Sequence, residues 1–226
     1  MFSFMTTADG GLTTAGYIIC IIGTILIFLA GVYLAGRKAA GARTAKAMSA
    51  KRLCFCAMGV ALAFVTSYIK LFKFPYGGSM TLCSMLFIVL IANWYGVKTG
   101  ILVGFAYGLL QFLQEPYVLS PFQVCCDYVF AFAALGLAGV FSKSKNGLIK
   151  GYILAVLARG VFHTLGGYLY WMDYIPDKFP KSLTILYPVI YNYTYLLTEG
   201  VLTVILLAIP PIRKAFNYVK RLALEP

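Results

Sequence analysis

Acid is scarce in this sequence: seven Asp and Glu stand against nineteen Lys and Arg in 226 residues, and there is one histidine, His163. A single histidine with no H-E-x-x-H excludes a metalloprotease-type centre. No glycine-rich phosphate loop or soluble nucleotide-binding domain is present. If this chain moves a solute by ATP hydrolysis, the ATPase is therefore another chain. Charge of either sign is sparse, 12% of residues, where a soluble domain carries about a quarter. Period-two alternation is missing, which argues against a transmembrane β-barrel. No ring of repeated polar positions suggests a channel. The six cysteines (Cys20, Cys54, Cys56, Cys83, Cys125 and Cys126) lie in or beside apolar runs. Neither Cys54/Cys56 nor Cys125–Cys126 has zinc spacing. They read as small buried hydrophobes, and no disulfide framework, metal or cofactor is expected.

What is there is apolar: 61% hydrophobic residues and a mean hydropathy of +0.85. That is an all-α, polytopic membrane protein. A bilayer core takes about 20 apolar residues per helix. Seven spans are expected, at about 12–35, 52–71, 80–95, 99–114, 122–141, 150–172 and 183–209; the third and fourth are short. The first has an acidic start, Asp9, and its basic residues follow it, so it reads as a retained helix and not as a signal peptide. Residues 1–51 then form an extra helix and a basic linker, "GRKAAGARTAKAMSAK". Residues 52–226 form a six-helix block.

Charge sets the orientation. With the N-terminus outside, the inner segments hold Arg37, Lys38, Arg43, Lys46, Lys51, Arg52, Lys98, Lys143, Lys145, Lys150, Arg213, Lys214, Lys220 and Arg221, and the outer ones hold Lys70, Lys73, Lys178 and Lys181. The C-terminus is then inside. The net charge of +12 reads as positive-inside bias and contact with anionic lipid. With no soluble domain to hold it, a nucleic-acid partner is excluded.

Ionisable residues inside such spans cost roughly 2.5–3.5 kcal/mol each and need partners. Arg159 and His163 lie four apart on one face of span 150–172. Glu199 and Asn192 share a face of span 183–209. Arg159 and Glu199 have similar depth on antiparallel neighbours, and a structural ion pair is the expectation; a direct ligand contact by Arg159 is the alternative. His163, Asp127 and Asn192 fall in the outer half, with Tyr107, Tyr117, Tyr128, Trp171 and Tyr187. Trp94, Tyr95, Tyr174 and Tyr168 read as interface anchors. A carboxylate among aromatic faces suits an organic cation, and His plus Asn suit a heterocycle. An intramembrane enzyme using His163 and Asp127 as acid and base is the competing class.

The order His163…Trp171, Asp127–Tyr128, "LYPVIYN" with Tyr187 and Asn192, "YGLLQFL" (107–113), "YVLSPFQ" (117–123) and "CAMGVALAFV" with Ala57 and Ala61 resembles the thiamine-specific S-component of energy-coupling factor (ECF) transporters. The resemblance covers about 50–209. It implies a six-helix subunit that captures thiamine from outside, or a related heterocycle such as the thiamine pyrimidine precursor. It also implies three partners: a transmembrane coupling protein and two ATPases. Ala57 and Ala61 would form the docking face. The family's Glu before Tyr is Asp127 here, one methylene shorter, and its basic residue four before the His is Arg159. The loop "FKFPYGGSMTL" offers Phe and Tyr where some relatives place a Trp. By this resemblance His163 meets the ligand from the pocket floor, Arg159 lies one turn deeper, and Trp171 stacks on a ring.

Overall fold

The structure, a computed structural model, describes residues 4–7, 11–23, 25–26, 49–74 and 78–225. Of the expected first span, the helix α1 over Thr14–Gly23 is described; most of the rest of that span and most of the basic linker lie outside the described residues. The bundle then runs α2 (Ala50–Ser67), β1 (Lys70–Lys73), β2 (Ser79–Thr81), α3 (Ser84–Tyr95) and α4 (Val97–Gln114). It continues with α5 (Pro121–Phe141), α6 (Gly147–Tyr170), α7 (Tyr187–Ala208) and α8 (Pro210–Leu224). Six of these correspond to the expected six-helix block. Among the described residues, four apolar stretches reach membrane-crossing length: α2, α5, α6, and α7 with its 3₁₀ lead-in from Lys181.

Small residues set the packing. On α2, Cys56, Gly59, Ala63 and Ser67 form a buried stripe, and a Cβ on Gly59 would meet Ile91 Cγ1 at 2.6 Å. On α4, Gly100, Gly104 and Gly108 recur every four residues. Methyl groups there would strike the α5 backbone at Gly136, Phe132 and Tyr128, so glycine is what lets α4 and α5 touch backbone to backbone.

Two departures from the expected spans matter. The third span is not one helix. Strands β1 and β2 pair antiparallel as the two arms of a hairpin, Lys70 with Thr81 and Lys73 with Ser79, and α3 has only 12 residues. At 1.5 Å per residue that is about 18 Å, short of a bilayer core of about 30 Å. Its residues from Ser84 to Asn93 are nearly all buried, so α3 sits inside the bundle. The chain enters it through Cys83 at φ 54°, and leaves for α4 at Gly96, φ 86°, a backbone that favours glycine.

The second departure is α8. Pro210–Pro211 end α7 and begin a short amphipathic helix. Ile212, Phe216, Val219 and Ala223 turn inward. Tyr95 donates to Ala223 O at 3.0 Å and Lys220 donates to Asn93 Oδ1 at 3.2 Å, docking α8 onto α3. Arg52 bonds Tyr95 O and Thr99 Oγ1 at the same end.

Candidate functional site

At the hairpin end of the bundle a cavity of about 730 Å³ opens between α4, α5, α6, α7 and the hairpin. Of the eight expected ligand residues, Tyr117, Asp127, Tyr128, His163, Trp171, Tyr187 and Asn192 line it, and so does Arg159.

Helix α5 brings in the carboxylate. Ser120 caps its N-terminus, accepting from Gln123 N at 3.1 Å, with Pro121 in the first turn. The helix then widens to a π-helix over Cys125–Phe130, a distortion common where function needs an altered side-chain register. Asp127 and its neighbour Tyr128 both face the cavity, although consecutive residues on a regular helix point about 100° apart. Tyr128 donates to Glu115 O at 2.7 Å and accepts from Tyr117 N at 3.1 Å, which ties the α4–α5 connection to the site.

The floor is a chain of polar contacts. Arg159 Nε donates to His163 Nε2 at 3.1 Å. The imidazole therefore carries its proton on Nδ1, and that N–H donates to Asp127 Oδ1 at 3.1 Å. Asp127 Oδ2 accepts from Gln123 Nε2 at 2.8 Å. Glycines make the space: a Cβ on Gly166 would meet Asp127 Oδ1 at 3.0 Å, and one on Gly167 would meet Pro188 Cβ at 2.8 Å. Asn192 braces α6 against α7. It donates to His163 O and Pro188 O, at 3.3 and 2.8 Å, and accepts from Tyr195 OH at 3.0 Å.

Two aromatic walls face each other above this floor. Tyr117 stacks on Trp171 at 5.0 Å between ring centres, and Tyr174 leans on Trp171 at 5.3 Å. Opposite, Tyr187, Tyr191 and Tyr195 run along α7, the first two stacked at 5.8 Å. The hairpin covers this wall closely: Gly78 N donates to Tyr191 OH at 3.1 Å. At the rim Lys70 pairs with Glu115.

Three expectations are corrected. Arg159 and Glu199 do not pair. The Arg159 guanidinium lies 4.0 Å from the centre of the Phe132 ring, a cation–π contact that offsets burial of its charge. Glu199 instead accepts from Thr81 N, Thr81 Oγ1 and Met85 N, at 2.8, 2.7 and 3.4 Å. These donors belong to the hairpin and to the first turn of α3, where unsatisfied amides and the helix dipole hold a carboxylate. A continuous helix over 80–95 would have hidden that N-terminus. Tyr107 is not in the cavity: it is fully buried, donating to Ala63 O at 3.3 Å and packing edge-on against Phe132 at 5.1 Å. It lines only a smaller chamber of about 40 Å³ beneath, between Arg159 and Glu199. Tyr174 is a cavity residue and not simply an interface anchor.

Gln111, Gln123, Tyr191 and Tyr195 line the cavity without having been expected to. The spacing 187, 191, 195 was the available signal, since residues four apart share a helix face. Ala57 and Ala61 are exposed on α2 and are not part of the cavity lining.

Fold and site together define a polytopic all-α membrane protein with an aromatic cleft for a small flat molecule. The chain belongs to the thiamine transporter protein family (Thia_YuaJ), which it matches over residues 53–218. It is similar to the thiamine transporter ThiT of Bacillus subtilis (strain 168), 32% identical over 149 residues, covering 60% of this chain and 76% of the relative. ThiT of Lacticaseibacillus paracasei is 25% identical over 173 residues, covering 68% and 81%. A solved structure of ThiT from Listeria monocytogenes superposes with a TM-score of 0.61 at 27% identity, over 73% of this chain and 96% of that one. The resemblance read from the motifs is thereby confirmed. Because the family is one of transporters, the reading of His163 and Asp127 as an enzymatic acid–base pair is set aside.

Proposed function

We propose that this chain is the membrane subunit that captures thiamine from outside the cell and delivers it inward as part of an ATP-driven ECF transporter. The observation that carries this is the cleft: stacked aromatic walls about a carboxylate–imidazole floor, in a member of the thiamine transporter family. Thiamine offers two flat rings and a fixed positive charge. The walls suit ring faces, and a carboxylate in a low-dielectric site suits the cation. Ligand contacts are assigned to Tyr117, Asp127, Tyr128, His163, Trp171, Tyr187 and Asn192.

The orientation proposed puts the cleft outside and α8 inside. Lys51, Arg52, Lys220 and Arg221 gather at the α8 end, where Lys51 reaches Glu225 O at 3.3 Å. That supports a cytoplasmic C-terminus by the positive-inside rule. The coupling protein and two ATPases are proposed as partners, with the exposed Ala57 and Ala61 as the docking face, since small residues four apart allow close helix approach.

Equilibrium binding of thiamine to the purified chain, alongside its pyrimidine and thiazole halves and other vitamins, tests the ligand. Thiamine bound unchanged and in preference to the rest is the expected result. Preference for the isolated pyrimidine would replace thiamine by its precursor, and no binding of either would overturn the reading.

A further inference from the structure

Gln123 is 1% exposed and has both ends of its amide hydrogen-bonded. Its Oε1 accepts from Leu119 N at 3.0 Å. A backbone N–H is only a donor, so this bond leaves the Gln123 NH₂ as the other end of the amide. That end donates to Asp127 Oδ2 at 2.8 Å, while His163 holds Oδ1. Both carboxylate oxygens are thus fixed from opposite sides, one by α6 and one by the first turn of α5. We propose that Gln123 is a positioning residue: it sets the plane of the Asp127 carboxylate that receives the cationic ligand. The binding arm of this proposal rests on the thiamine reading above.

A simpler role competes with it. Ser120 and Gln123 have the S-x-x-Q spacing of a capping box, and the Gln123 side chain does accept a backbone N–H, that of Leu119. If capping were its whole purpose, glutamate would serve as well or better, because a carboxylate at a helix N-terminus favours the dipole. Positioning makes the opposite demand. Asp127 needs a donor, and ionised glutamate has none. Protonated glutamate restores it: the carbonyl oxygen accepts from Leu119 and the hydroxyl donates to Asp127, in nearly the shape of glutamine. Two carboxyl groups at hydrogen-bond distance hold one shared proton until pH rises enough to remove it. The charged or titratable groups that share the cavity with the pair are Arg159 and His163 from α6, Tyr174 just after it, Tyr187, Tyr191 and Tyr195 from α7, Tyr117 and Tyr128 before and within α5, Lys73 from the hairpin, and Glu115 with its partner Lys70 at the rim.

The test uses the full chain with Gln123→Glu and Gln123→Leu. Positioning predicts that Gln123→Glu binds thiamine within about twofold of the parent near about pH 5.5 and at least about fivefold more weakly near about pH 8.5. Gln123→Leu is expected to be about tenfold weaker at both. A ligand-free signature accompanies this. The chain has one histidine, so ¹⁵N-histidine labelling gives one imidazole. In the parent it is the Nδ1–H form, and in Gln123→Leu it becomes a mixture as Asp127 loosens. A constant ratio of variant to parent affinity across pH, together with an unchanged imidazole signal, would overturn the proposal and leave Gln123 as a cap. If Gln123→Leu does not fold, Gln123→Glu still decides. If the parent binds no thiamine, the ligand reading fails, and the imidazole signal alone judges Gln123.

Discussion

Asp127 concentrates the chemistry of the site at a single side chain. Replacing it by Asn keeps the size, removes the charge, and turns one oxygen into an amide nitrogen. With His163 still donating to the remaining oxygen, that nitrogen faces the Gln123 NH₂, donor against donor. We expect Asp127→Asn to weaken thiamine binding by about 1–3 kcal/mol, roughly 5- to 150-fold, with a smaller loss for a neutral analogue. Equal losses for both ligands in equilibrium titration would assign the effect to shape instead of charge. Gly166 gives a second test. A methyl group there stands 3.0 Å from Asp127 Oδ1, so Gly166→Ala displaces the carboxylate. It should weaken binding and lower the melting temperature, with an overpacking cost of about 1–3 kcal/mol. Retention of both parental values would mean that the carboxylate can move at little cost.

Among the elements, α3 is held at its start by a carboxylate from another helix. Glu199→Gln removes that charge from the first turn, and Thr81→Val removes one of its donors. Each should cost about 1–3 kcal/mol of stability. In a double-mutant cycle read by thermal or denaturant unfolding, the two should couple by about 0.5–3 kcal/mol; additive losses would exclude their interaction. The same region shows what hydropathy could and could not reveal. The apolar runs located six helices, because lipid demands length and low charge. They merged β2 with α3, because Met80 and Leu82 read like the helix that follows. Depth along a helix was legible and rotation about it was less so. Tyr107 was placed at the level of the site but faces the interior of the bundle. Tyr191 and Tyr195 continue the face of Tyr187, but an aromatic four residues on is equally common on a lipid-facing stripe. The depth of Arg159 shows that it needs a partner, but Phe132 and His163 meet that need, and only packing distinguishes them from Glu199. Helix α8 is hidden from hydropathy by its charges and two prolines, which resemble a trailing segment, while its inward positions 212, 216, 219 and 223 carry the helical period.

For the molecule as a whole, the cleft and the proposed docking face occupy different surfaces. Ala57 and Ala61 are exposed on α2, beside Met58 and Leu62, and neither is part of the cavity lining. Replacing both by Leu or Trp should abolish thiamine uptake in cells that supply the coupling protein and ATPases, while the purified variant binds thiamine as the parent does. Loss of binding by a folded variant would place these residues in the architecture of the binding subunit and not on a partner interface.

The chain has two tryptophans, and the fold separates their surroundings. Trp171 lies in the cleft, stacked on Tyr117. Trp94 packs edge-on against Phe55 at 6.1 Å and is not part of the cavity lining. The molecule therefore carries its own optical reporter: an aromatic cation entering the cleft meets one emitter and leaves the other alone. With tryptophan excited selectively over tyrosine, saturating thiamine should quench only part of the emission. In Trp94→Phe the quenched fraction should rise, and in Trp171→Phe the ligand-dependent change should vanish, even at concentrations that still fill the site.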